Sequence, residues 1–219
     1  MTLVDMTMSN MSGSSLYSLK QQSLSMAKDL SAATKTVTDA VTIYANENES
    51  VSSMLNKAQP TVLLSAASGM SSSSSADAIQ GILNQFNLSE DQAMHVADTV
   101  EKLSSEIALD FSKGCDTISQ SIATSGSVVN EAGMSFEKYA ALVSTTAEKT
   151  RVSGSQIGNA FKTIFSRISR SKDGLTTDAE MSDAEAALKS VGVSVRRADG
   201  DLRDISDTLD DLNKVCIMQ

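Results

Sequence analysis

From Met26 onward the apolar positions Met26, Leu30, Ala33, Val37, Ala40 and Tyr44 recur in steps of four and three. That spacing is the a/d seam of a heptad. No Gly or Pro interrupts Leu16 to Ala45, so the pattern predicts one continuous helix of about thirty residues. Small residues at several seam positions make it a weak coiled coil that needs a partner, within the chain or between chains. "NENES" at Asn46 to Ser50 breaks the helix, and a shorter one follows through Met54, Leu55 and Ala58. Pro60 is placed at the first turn of a fresh helix carrying Val62, Leu63, Ala66 and Ala67, with Gly69 as its stop. The run Ser71 to Ser75 then reads as a flexible polar link. It divides the chain into an N-terminal helical or coiled-coil region (1–70), a serine-rich linker (71–75) and a helical module (76–219).

Beyond the serines the helix ends are marked by capping residues. Ala76 to Phe86 places Ile79, Ile82, Leu83 and Phe86 on one face. Ser89 and Gln92 form a capping box before Ala93, Val96, Ala97, Val100 and Leu103. A helix from about Ser112 to Ala132 carries Cys115, Ile118, Ile122 and Val129 and stops at Gly133. Ser135 caps a helix bearing Phe136, Tyr139, Ala140 and Val143. "SKDGLTTDAEM" at Ser171 to Met181 is a loop, Ser182 and Glu185 form a second capping box, and that helix ends at Gly192. Val193 and Val195 alternate ahead of Asp199-Gly200, which predicts a small hairpin or extended turn near 193–203. Ile205, Leu209 and Leu212 mark a last helix. The fold class is therefore all-α: a long N-terminal heptad helix, then a bundle of short antiparallel helices with one hairpin or extended turn.

The stretch "SGSQIGNAFKTIFSRISR", Ser153 to Arg170, holds two glycines and three basic residues, and it is the one segment that could be taken for a phosphate or nucleic-acid site. A phosphate loop needs four residues between its glycines and a following Lys; Gly154 and Gly158 have three between them, and Asn follows. Ile157, Ala160, Phe161, Ile164, Phe165 and Ile168 instead form the apolar stripe of an amphipathic helix capped by Ser153. Gly158 is expected where a neighbouring helix approaches closely. Lys162, Arg167 and Arg170 fall toward the polar face near the helix C-terminus, where the helix dipole favours cations. The candidate packing and interaction residues are thus Ile157, Gly158, Phe161, Ile164, Phe165 and Ile168, with Met26, Leu30, Val37 and Tyr44 of the seam.

Composition narrows the function. The net charge is −9, which disfavours direct DNA binding by a basic surface. Arg196 and Arg197 are offset by Asp199, Asp201 and Asp204. A single histidine, His95, on the predicted polar face of its helix, leaves no catalytic triad and no histidine-rich metal site. No cofactor, metal or small-molecule substrate is expected, and the chain reads as a non-enzyme. Cys115 and Cys216 are expected as thiols rather than a disulfide. One proline and no tryptophan among 219 residues agree with a helical chain whose core is built on aliphatics and alanine. No apolar run is long enough for a transmembrane segment, and "MTLVDMTMSNMSG" lacks the regions of a signal peptide.

Three stretches carry a resemblance. "ADAIQGILNQFNLSEDQAMHVADTV", "AGMSFEKYAALVSTTAEKTRVSGSQIGNAFKTIFSRI" and "LKSVGVSVRRADGDLRDISDTLDDL" resemble, in order, the helical module of phage tail tape measure proteins. "VTIYANENESVSSMLNKAQPTVLLSAASGM" looks like the run that precedes this module, so the resemblance covers roughly Val41 to Leu212. It implies a structural virion protein that takes part in tail assembly and tail length determination inside the tail tube lumen, after synthesis in the host cytoplasm. The implied partners are further copies of itself and the tail-tube, tail-tip and tail-assembly chaperone proteins. Full tape measures are several times longer, so a truncated C-terminus is expected. The other class this pattern admits is a cytoplasmic bacterial adaptor that dimerises through the Met26 to Tyr44 seam.

Overall fold

The computed structural model describes residues 13–45, 50–107, 110–169, 183–198, 200 and 203–217. The heptad seam does not run through one helix. It is divided between α1 (Gly13–Asp29) and α2 (Thr34–Ala45). The break is a left-handed C-terminal motif: Ser31 takes φ 49°, the Ser31 N–H bonds to Lys28 O and the Ala32 N–H bonds back to Ala27 O at 2.9 Å. Sequence alone hides this break because a glycine normally signals it and a serine fills the position here.

The energetic reason for the fold-back lies in the partner that becomes available. Val37, Ala40, Val41 and Tyr44 are buried with Met54, Leu55, Ala58 and Val62 of α3 (Val51–Ser68), and Met26 and Leu30 pack half-buried on the same cluster. Ala33 is exposed in the break. The seam thus finds its apolar partner within the chain, so the continuous N-terminal helix is replaced by a helical hairpin.

Pro60 also departs from expectation. It sits buried in the interior of α3 rather than at the start of a new helix. Proline there removes one intrahelical hydrogen bond, a cost of about 3 kcal/mol. Burial of Pro60 with Ala58 and Val62, and a side-chain bond from Thr61 Oγ1 to Lys57 O (2.8 Å), oppose that loss locally.

The serine run is not a flexible link but the start of α4 (Ser72–Gln85). Ser71 Oγ accepts from the Ser74 N–H at 3.0 Å, satisfying one of the orphan donors of the first turn. The preceding turn is equally tied: Ser65 Oγ donates to Met70 O at 2.8 Å and the Met70 N–H donates to Ser68 Oγ at 3.2 Å. Serine competes well for nearby backbone groups, so a serine cluster can cap as readily as it can loosen a chain.

The remaining helices are α5 (Ala93–Glu106), α6 (Phe111–Glu131), α7 (Phe136–Thr150), α8 (Gly154–Ser169), α9 (Asp183–Ser190) and α10 (Ile205–Ile217), with a short 3-10 turn at Glu90–Gln92. Their ends follow capping chemistry. Gln92 Oε1 accepts from the Ser89 N–H, Ser135 caps α7 through the Lys138 N–H, and α6 closes with Gly133 at φ 86° and the Met134 N–H on Val129 O. The expected turn after α9 is present: Gly200 takes φ 92° and the Arg203 N–H bonds to Val195 O at 2.8 Å. Asp199 and Ser182, and the loop 171–181, lie outside the described residues, so the second capping box does too. Glu185 is instead buried in an ion pair with Arg196.

The described residues form an all-α fold with two apolar clusters. The smaller joins α1, α2 and the first part of α3. The larger joins Leu64, most of the apolar face of α4, and α5 to α8, reaching Ile205 of α10. Helices α3 and α4 contribute to both. No helix among the described residues is long and apolar enough to cross a membrane.

Candidate functional site

The stretch that invited a phosphate reading is α8. Ser153 and Gln156 form a reciprocal capping box at its start: the Ser153 N–H bonds to Gln156 Oε1 (3.2 Å) and the Gln156 N–H to Ser153 Oγ (3.4 Å). A helix entered this way presents its first glycine directly to α6. Gly154 lies against Thr117 and Gln120, and Gly158 lies against Ser121 and Thr124. Ser121 Oγ closes the crossing with a buried bond to Gly154 O at 2.8 Å. These glycines therefore serve backbone contact between two helices, and α6 answers with small side chains at Thr117, Ser121 and Thr124.

Below the crossing the apolar stripe enters the larger core. Ile157 and Phe165 are buried, and Phe161 packs half-buried against the cluster. Tyr139 of α7 lies among these rings, edge-on to Phe161 at 5.6 Å and to Phe165 at 6.3 Å between centroids, with Phe86 of α4 at 6.4 Å. Two residues of the expected stripe are not in the core: Ile164 is 44% exposed, and Ala160 is exposed as well. The side chain of Ile168, like that of Cys216, lies outside the described residues. Met26, Leu30, Val37 and Tyr44 belong to the smaller cluster, so the two groups of candidate residues are not brought together.

The polar network of the core is built around hydroxyls. Ser125 Oγ donates to Ser121 O at 2.8 Å, which leaves it to accept the Tyr139 O–H. Burial pushes the Tyr139 pKa up to about 12. The folded state therefore holds its proton where the unfolded state, with a tyrosine pKa near 10, has lost it. Tyr139 contributes stability that is fully present below about pH 10 and lost as pH rises through about 12. We expect Tyr139→Phe to remove this part of the alkaline transition, worth on the order of 2 kcal/mol between those values. Urea unfolding at pH 8 and pH 11 checks it, and an unaltered alkaline slope in the variant counts against it.

A second titrating contact is at the surface. His95 Nε2 lies 2.8 Å from Glu137 Oε1, and this hydrogen bond holds Glu137 below the ordinary carboxylate range. A depressed carboxylate adds stability above its unfolded pKa that is lost as pH falls through the folded value. Both side chains are about half exposed, so solvent screening reduces the effect: His95→Ala is expected to cost no more than about 0.5 kcal/mol at pH 6 and less in acid. Thermal melts at pH 6 and pH 3 measure that difference.

Two features had weak or no sequence signal. Lys57 is fully buried, with Nζ 4.7 Å above the Tyr44 ring and donating to Gln80 Oε1 at 2.9 Å. Tyr44 in turn bonds Thr61 Oγ1 at 2.7 Å. Lys57 falls next to Ala58 on the inward side of α3, and a lysine there reads as polar until the tyrosine is placed. The α6 face of Thr117, Ser121 and Thr124 could have been found from its small residues at four- and three-residue steps. Cys115 is a free buried thiol whose pKa is raised by burial.

The sequence that builds this capped bundle has relatives. The chain matches the family of phage-related minor tail proteins over residues 20–216. It is similar to a protein of Escherichia phage P2 described as a probable tape measure protein, 24% identical over 190 residues. That alignment covers 87% of this chain and 22% of the relative, so the chain spans about a fifth of the relative's length. No solved structure matches it. With nearly its whole length inside the family's boundaries, the chain belongs to the phage-related minor tail proteins.

Proposed function

We propose that the chain is a structural segment of a tape measure protein, working in tail assembly and tail length determination. In this reading it is made in the host cytoplasm, enters the tail tube lumen and performs no catalysis. Its partners are further copies of itself and the tail-tube, tail-tip and tail-assembly chaperone proteins. The observation that carries the reading is the family match over residues 20–216, supported by the phage P2 relative described as a probable tape measure protein. The alternative of a dimerising adaptor rested on an open heptad seam, and that seam is folded against α3.

The geometry shapes the role. An extended helix adds about 1.5 Å of length per residue, but a chain folded back at every turn adds far less. Phe111–Glu131, at 21 residues the longest described helix, spans only about 32 Å. Within a tape measure this segment is therefore a compact anchoring piece rather than a graduated stretch. An in-frame deletion of its coding segment in an inducible lysogen should abolish tails rather than shorten them in proportion to the residues removed. Electron microscopy of the lysate and mass spectrometry of purified tails read the result. Tails of normal number and length, or no peptide of this chain in tail particles, would overturn the proposal.

A further inference from the structure

Gly81 lies in the interior of α4 without a left-handed backbone, and apart from its chain neighbours and the backbone of its own helix turn no described atom comes within 4 Å of a Cβ built on it. A helix-interior glycine is unfavourable relative to alanine, and here nothing inside the chain uses the missing side chain. Gly81 lines an open groove of about 220 Å³ between α4 and α6, whose walls include Ala78, Ile82 and Ala123. Asp77 and Asp116 stand exposed along it. Ser119 also lines the groove; it is 8% exposed, and its hydroxyl has no hydrogen-bond partner. Asp116 already takes one bond, from Gln120 Nε2 at 2.7 Å to Oδ2, which leaves its other oxygen open to a donor. Apolar walls, an acidic rim and an unpaired acceptor together fit an aliphatic group beside a cationic one.

The chain presents such a pair on another face. On α8, Ile164 is 44% exposed, and Arg167 lies exposed three residues further on, with exposed Ala160 one turn before. We propose that a second copy of this chain lays that strip of α8 into the α4–α6 groove. Ile164 covers Gly81 and Ala78, and the Arg167 guanidinium lies between Asp77 and Asp116. The two patches differ, so the contact is head-to-tail and each added copy leaves one groove and one strip open. With a net charge of −9, two copies repel at long range, but that repulsion is screened beyond about 10 Å at 0.1 M salt, whereas the close pair is screened less. The contact stands on the groove and the α8 strip and is independent of the tail assignment.

Sedimentation velocity of the full chain over a concentration series, at low and high salt, tests it. Mass should rise with concentration, and association should be stronger at about 0.1 M salt, where the long-range repulsion is screened, than at low salt. Gly81→Leu, Arg167→Glu and the pair Asp77→Arg with Asp116→Arg should each weaken association about tenfold or more, while circular dichroism stays helical. Mixing the Arg167→Glu protein with the Asp77→Arg, Asp116→Arg protein gives two complementary routes to test: the reversed charges should recombine in mixed complexes that neither variant forms alone. Should one variant fail to fold, the others carry the comparison. A chain that stays monomeric throughout, or association indifferent to all of these changes, overturns the proposal.

Discussion

Gly158→Leu should lower the stability of the bundle by about 3 kcal/mol or more, at the upper end of overpacking effects. A Cβ at Gly158 would stand 2.7 Å from Thr124 Cβ, 2.8 Å from Ser121 O and 3.1 Å from Ser121 Cα. Two of those atoms are backbone of α6, so no rotamer change relieves the contact and the helices must separate. Separation withdraws Ile157 and Phe165 from the larger core and strains the bond from Ser121 Oγ to Gly154 O. Gly154→Ala meets the same obstacle at Thr117 Cα and Gln120 Cβ, each 2.9 Å away. Even with the gain in helix propensity, Gly158→Ala should lose about 1 to 2 kcal/mol. Gly81→Ala is the internal reference: with open space around it, the same substitution should stabilise by about 0.5 to 1 kcal/mol. Urea midpoints at an unchanged m-value separate the three. Equal tolerance at Gly158 and Gly81 would mean that α6 and α8 do not meet backbone to backbone at this crossing.

The same comparison shows what the sequence could and could not display. Ile157, Phe161 and Phe165 follow a helical period, and Ser153, Ser135 and Gly133 are capping residues with a direct backbone role, so the helices beyond Ser89 were largely legible. The period does not say how wide the buried arc is, and Ile164, on the edge of the stripe, faces solvent. Nor does a heptad pattern distinguish one long helix from two that fold back, because Val37 and Tyr44 need an apolar neighbour in either case. Ser31 in a left-handed turn and Pro60 inside α3 are both choices that local propensity ranks low and that tertiary burial overrides. Composition makes the serine run look like a link, whereas its structure depends on position: Ser71 precedes a first turn that needs an acceptor. Gly81 carries no local signal at all, since only the assembled groove shows that its missing side chain is unused within the chain.

The C-terminal part rests on an ion pair that no local pattern announces, because its members are eleven residues apart across a turn. Arg196 Nε donates to Glu185 Oε1 at 2.6 Å, and the side chains are 11% and 4% exposed. Arg196 also donates through Nη1 to Gly200 O at 2.7 Å, so one guanidinium ties α9 to the turn at Gly200. Arg196→Ala is expected to cost about 3 to 5 kcal/mol, since it leaves a buried carboxylate without its principal cation. Replacing both partners with apolar residues, Glu185→Leu with Arg196→Met, should cost much less, because the carboxylate and the guanidinium then leave the interior together. The penalty should fall on local opening rather than on the whole bundle. Along Asp183–Ser190 and the following turn, the described contacts with the larger cluster are few, and Val193 and Val195 are the buried apolar residues. Hydrogen exchange locates it: the amides of Val193, bonded to Leu188 O, and Arg203, bonded to Val195 O, should exchange far faster in Arg196→Ala, while those of α6 and α8 keep their protection. If the single and double variants exchange alike, the pair does not hold the turn. A loss of protection spreading into α6 would instead mean that α9 and the turn fold together with the main core.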